Sequence, residues 1–80
     1  MRRYYFDLRD NDTFLPDEDG IELLSMEVVK NQAARVLFEI ARGVIPGAEA
    51  RTLTVEVRDD DGLVLKSTLR FEVEQVRQGK

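Results

Sequence analysis

The apolar residues of this chain repeat at every second position, then every third or fourth, then every second again, and that change of period leaves few folds open. In Arg3–Arg9, Tyr4, Phe6 and Leu8 alternate with Arg3, Tyr5, Asp7 and Arg9, the pattern of a half-buried strand. Asp10-Asn11-Asp12 reads as a turn and Thr13-Phe14-Leu15 as a short returning strand. Pro16 has no N–H for a ladder, which keeps that strand short and at a sheet edge. Asp17-Glu18-Asp19-Gly20 reads as loop. From about Met26 to Arg42 the period becomes helical, with Met26, Val29, Ala33, Val36, Leu37, Ile40 and Ala41 on one stripe. Ser25 is placed to cap the first turn, Gly43 to take a left-handed turn at the end, and Pro46-Gly47 stops the element. Alternation returns at Arg51–Arg58, and Asp61-Gly62 gives a hairpin turn. Leu63, Leu65, Ser67, Leu69, Phe71 and Val73 then line one face of a long strand over residues 63–75, before a frayed tail at 77–80.

The order β-β-α-β-β predicts an α+β fold: a single antiparallel four-stranded sheet with one helix packed on one face. Strand order 2-1-3-4 keeps every neighbour antiparallel. The 80 residues carry no linker, repeat or low-complexity segment, so they are expected to form one small domain over 1–80.

The chemistry open to such a domain is narrow. It has no histidine and no cysteine, which removes the commonest general base, the commonest metal ligand and the strongest nucleophile. Of its two serines, Ser25 is committed to capping and Ser67 to the core face. The chain is therefore expected not to be an enzyme and to hold no cofactor or dedicated metal. No apolar run approaches the roughly 18 residues of a membrane span. Met1–Asp7 has two arginines but no apolar stretch of signal-peptide length. A cytoplasmic protein with no membrane contact is the expectation.

The net charge of −4 is unevenly spread. Eight of the sixteen acids lie in three turn-like segments without a base: Asp10 and Asp12; Asp17, Glu18 and Asp19; Asp59, Asp60 and Asp61. Nucleic-acid binders cluster lysine and arginine instead, so no nucleic-acid partner is expected. Aspartate is also simply a good turn residue, since its side chain bonds nearby backbone. Chain direction in the expected fold brings Asp17, Glu18, Asp19, Asp59, Asp60 and Asp61 to one end of the domain and Asp10 and Asp12 to the other. Such an end has three readings: a solvated turn cluster, a dock for a basic partner, or a weak divalent-cation site. The spacing lacks the alternating acids, central glycine and terminal glutamate of a calcium loop.

Two apolar residues fall off the helical stripe. Phe38 lies about 120° from its centre, and Val28 lies opposite the core. Phe38 is either covered by the 44–50 segment, where Val44 and Ile45 need burial, or free to contact another protein. The last strand supplies a second hint of assembly. Extended, it spans roughly 40 Å against about 25 Å for the helix, so it bends, frays after Val73, or overhangs to pair with another chain. The second sheet face is polar (Thr52, Thr54, Glu56, Lys66, Thr68, Arg70, Glu72), with Tyr5 and Val64 as apolar islands. Arg2, Arg3 and Arg9 beside Tyr5 make only a weak basic patch.

Three stretches carry a resemblance: Met1–Asp10, Pro16-Asp17-Glu18-Asp19-Gly20-Ile21-Glu22-Leu23, and Leu53–Asp59 with Asp61-Gly62. With them the chain resembles a family of short bacterial proteins of unknown function, abundant in soil alphaproteobacteria. The resemblance covers nearly the whole chain and is most specific at Pro-Asp-Glu-Asp-Gly. It implies a stand-alone cytoplasmic protein and supplies no functional residues. Taken together, these features predict a small non-enzymatic protein-interaction module that self-associates as a homodimer. Phe38, Val28 and the six acids at one end are its candidate contact residues. The alternatives are a cation- or small-ligand-responsive regulator using loops 17–19 and 59–61, or an antitoxin-like partner of a basic protein.

Overall fold

In the computed structural model, which describes residues 1–77, six elements follow in order. They are β1 (Arg2–Asp10), β2 (Thr13–Leu15), β3 (Ile21–Leu23), α1 (Met26–Val44), β4 (Ala50–Asp59) and β5 (Gly62–Glu72). One helix packs on one antiparallel sheet, so the class is α+β, but the sheet has five strands instead of the expected four. The four expected strands take the order β2-β1-β4-β5, and the additional β3 also pairs with β1. β2 lies against Leu8–Asp10 and β3 against Arg2–Tyr4. Three residues are too few for an alternation to register, so Ile21–Leu23 carries no strand signal of its own.

Register explains which residues form the core. Val55 lies opposite Leu8 and Val57 opposite Phe6 on β1; on β5, Leu53 meets Leu69 and Val55 meets Ser67. These side chains share one face of the sheet. Leu53, Val55 and Val57 are fully buried there beneath Val29, Ala33, Leu37 and Ala41 of α1. The helix lies over β4 and β5. Its N-terminus is capped as expected, with Ser25 Oγ accepting the Val28 N–H at 3.3 Å. At the far end the Ile45 N–H reaches the Ala41 carbonyl at 2.8 Å. The helix continues through Gly43 to Val44, two residues past the expected stop.

The last strand departs from its expected pattern at both ends. The β4–β5 register shifts between Val57 and Arg58, so Val57 pairs with Leu65 but Arg58 with Leu63. Val64 is the extra residue of this β-bulge. The bulge puts Leu63 on the helix-free face with Arg58, 61% exposed, while Val64 packs against the core. The expected assignments of Leu63 and Val64 to their faces are thus reversed. β5 stops at Glu72 and not at residue 75, and the Val73 N–H turns back to the Glu49 carbonyl at 2.8 Å. Of the tail expected at 77–80, only Arg77 lies within the described residues. The molecule is elongated, 57 × 22 × 17 Å with a radius of gyration of 15.1 Å, against about 12 Å for a compact chain of this length.

Candidate functional site

The most distinctive sequence element, Pro16-Asp17-Glu18-Asp19-Gly20, lies between β2 and β3. These two short strands are successive pieces of the outer edge of β1, and the segment between them loops away. Pro16 cannot donate to a ladder, and the gap leaves the Phe6 N–H facing the edge without a strand opposite it. Asp17 fills the gap. Its Oδ2 accepts the Phe6 N–H at 3.1 Å, and its Oδ1 accepts the N–H groups of Asp19 at 3.1 Å and Gly20 at 3.2 Å. One carboxylate therefore does what a strand's carbonyl would do and also shapes the turn around itself. Burial pushes the Asp17 carboxyl up, but these three N–H groups and the nearby Arg58 charge outweigh it and hold the group below its ordinary 3.8.

Asp17 is tied to a buried charge. Asp7 is 4% exposed although it lies on the helix-free face. Its carboxylate accepts Arg58 Nε at 2.8 Å and the Asp17 N–H at 2.9 Å. Arg58 Nη2 in turn donates to the Asp17 carbonyl at 3.0 Å, and the guanidinium lies 4.4 Å over the Tyr5 ring. Gly20 closes the group at φ +70°, and a Cβ there would stand 2.8 Å from that ring. A buried carboxylate is tolerable only when fully hydrogen-bonded, and among the described residues no buried side-chain polar atom lacks a partner. The whole assembly locks the edge of the sheet. Sequence reading places Asp17 among the contact residues and does not single out Asp7, whose position on the polar side of an alternating strand is ordinary for a charge.

The remaining acids do not gather as expected. Asp17–Asp19 flank the middle of β1 on its outer edge, while Asp59–Asp61 form the tip of the β4–β5 hairpin, across β1 from them. Each turn is a local structure: Asp59 Oδ1 accepts the Asp61 N–H at 2.8 Å and its Oδ2 binds Arg2 at 2.9 Å. The Asp61 N–H, with Arg2 in support, holds the Asp59 carboxyl below its ordinary value against a smaller effect of burial. Glu18, Asp19, Asp60 and Asp61 are exposed. Among the described residues no three acidic side chains converge as a metal site requires. At the opposite end, Arg51 forks onto Asp10 at 2.7 and 2.8 Å and holds that carboxyl low. The arginines of the weak basic patch are engaged: Arg3 on the Asp19 carbonyl, and Arg9 on Glu56 at 2.7 Å and over the Phe14 ring at 4.5 Å.

Phe38 lies outside the buried stripe of the helix. The 44–50 segment does not cover it; it is 66% exposed. It borders an apolar groove of about 470 Å³ between the C-terminal half of α1 and β5, with Ala41, Ile45, Pro46, Leu69 and Phe71. Arg42 and Arg70 are the charged residues there. Val28, 37% exposed in the first turn of the helix, does not border this groove. Beside the groove β5 forms the outermost strand, its outer edge unpaired among the described residues.

These features define a small α+β domain with one helix over an open antiparallel sheet. One edge is closed by a carboxylate splice, and the other is bare beside an apolar groove. Residues 3–74 match the family described as a domain of unknown function, DUF6894, and the chain belongs to it. No curated protein and no solved structure matches the chain. No helix among the described residues is long and apolar enough to cross a membrane.

Proposed function

We propose that this chain is a small non-enzymatic protein-interaction module, self-associating and working in a bacterial cytoplasm. Its contact surface is the groove between α1 and β5. The exposure of Phe38 beside that groove carries the reading. Aromatic side chains are favoured interface anchors, and an open strand edge offers backbone groups for an added strand. Asp17 and Asp59, by contrast, are occupied by backbone N–H groups of their own turns, which weakens the readings that assign the acidic loops to a cation or a basic protein.

The test compares tagged native chain with Phe38→Asp for retention of polypeptides, untagged copies of the chain included. Loss of retention in Phe38→Asp is the expected result. Retention that survives Phe38→Asp and disappears with Glu18→Gln, Asp19→Asn, Asp60→Asn and Asp61→Asn combined would move the contact surface to the acidic turns.

A further inference from the structure

We infer that the groove and the bare edge of β5 receive a second copy of this chain, the two β5 strands pairing antiparallel about a two-fold axis at Leu69. This rests on the self-associating interaction-module reading and gives the strand pairing by which two copies meet.

The backbone fixes which residues can pair. Along an antiparallel strand, successive residues direct their N–H and C=O to opposite sides. The Thr52 carbonyl accepts the Asn11 N–H at 2.9 Å on the β1 side, and the Glu49 carbonyl accepts the Val73 N–H at 2.8 Å on the β5 side. Continuing that alternation, Leu53, Val55 and Val57 face β5, and their partners Leu69, Ser67 and Leu65 spend their backbone groups on β4. The N–H and C=O of Lys66, Thr68, Arg70 and Glu72 therefore point out of the sheet. Any pairing of this edge with itself must join those four residues.

Charge then selects the register. A two-fold centred on Thr68 sets Lys66 against Arg70 of the second copy, and one centred on Arg70 sets that arginine against itself. Like charges directly opposite oppose pairing. Centring on Ser67 brings no opposite charges together. Centring on Phe71 matches Arg70 with Glu72 but carries Lys66 and Thr68 beyond the end of β5. The axis at Leu69 sets Lys66 opposite Glu72 of the second copy twice over. It sets Thr68 opposite Arg70 and keeps all four residues within β5, for about eight backbone hydrogen bonds.

The helices fit this arrangement. Leu69 shares the helix face with its β4 partner Leu53, so both helices fall on the same face of the joined sheet. α1 lies over β4 and β5, and one further strand spacing puts the two helix axes about 10 Å apart, an ordinary packing distance. Phe38 flanks Leu69 and Phe71 in the groove, so the two phenylalanines close over the axis and cover what the single chain leaves bare.

The chain has no cysteine, which makes a direct test available. Leu69→Cys puts one thiol on the axis at a non-hydrogen-bonded pair, with Cα atoms about 4.5 Å apart, within disulfide reach. Oxidised Leu69→Cys should run as a covalent dimer, and Lys66→Cys should not. Because Leu69 also packs against the core, a second set avoids it: Lys66→Glu, Glu72→Lys and the double variant, read by sedimentation equilibrium. Each single change should weaken dimerisation about tenfold, and the double should restore it. A monomer at all concentrations overturns the inference, as does a dimer whose affinity ignores these charges. A monomer that still retains polypeptides through Phe38 removes self-association and leaves an interaction module with a foreign partner; a monomer that retains none overturns both readings.

Discussion

The carboxylate of Asp17 stands in for a strand at the backbone N–H of Phe6, 3.1 Å away, at the level of β1 where the outer edge is interrupted. Its second oxygen holds the turn that creates the interruption. Pro-Asp-Glu-Asp-Gly is thereby a self-contained splice: proline and glycine force the chain off the edge, and the first aspartate repairs what that departure leaves open.

Removing the repair should be costly. Asp17→Ala leaves the Phe6 N–H part-buried and without an acceptor, and it frees two turn N–H groups. A loss of about 2–3 kcal/mol is expected, which for a domain of this size lowers the melting temperature by roughly 10–20 °C. Circular dichroism melts check the magnitude, and faster amide exchange at Phe6 checks the cause.

Gly20 and Gly47 both sit at positive φ, +70° and +90°, but only Gly20 is crowded. Alanine at 20 would place its Cβ 2.8 Å from the Tyr5 ring and 3.0 Å from the Tyr4 carbonyl, whereas alanine at 47 meets open space. Gly20→Ala should therefore cost about 2–4 kcal/mol and Gly47→Ala only about 1. Equal melting temperatures for the two variants would contradict the packing described around Tyr5.

Arg58→Lys keeps the charge but loses the fork that spans Asp7 and the Asp17 carbonyl, together with the flat stack on Tyr5. A destabilisation of about 1–2 kcal/mol is expected, with the fold retained. Chemical denaturation curves of unchanged slope and a lower midpoint would show it.

Acid should unfold the protein through its turns. Asp10, Asp17 and Asp59 are held below the ordinary 3.8 in the folded chain. A carboxyl whose folded value is depressed contributes stability above its unfolded value, lost as pH falls through the folded one. The melting temperature should thus stay flat from about pH 8 to pH 5 and fall below about pH 4. With no histidine in the chain, a step between pH 6 and 7 would be unexplained and would count against this assignment.

Phe38→Asp should leave the isolated fold intact. Two-thirds of the residue faces solvent, and surface substitutions away from caps and buried networks change stability by about 0.5 kcal/mol or less. A drop beyond about 10 °C at a concentration where the chain is monomeric would show that Phe38 belongs to the core.

The sequence made the long elements legible for a physical reason. α1, β4 and most of β1 and β5 bury one face, and burial imposes a period on residues such as Leu53, Val55 and Val57 that can be read directly. β3 escaped because three residues on an edge bury too little to show one. The bulge at Val64 escaped because a register shift leaves composition unchanged while reversing which of Leu63 and Val64 meets the core. The acidic motif was visible but misplaced: charge can be counted in a sequence, whereas the unpaired N–H of Phe6 that gives Asp17 its task exists only once the edge is built. Phe38 is legible as off the stripe, and only the path of residues 44–50 shows that none of the described residues covers it.

The two margins of the sheet are unequal, and the inequality sets how far strands can be added. An edge that pairs with copies of itself on both sides grows without limit into a ribbon. Here the β2–β3 margin is broken by a proline and its central N–H is already taken by a side chain, so an incoming strand finds only two three-residue footholds. Among the described residues only the β5 margin is continuous. Strand addition starting from β5 would therefore end at this margin, where the aspartate that mends the broken edge already occupies the Phe6 N–H.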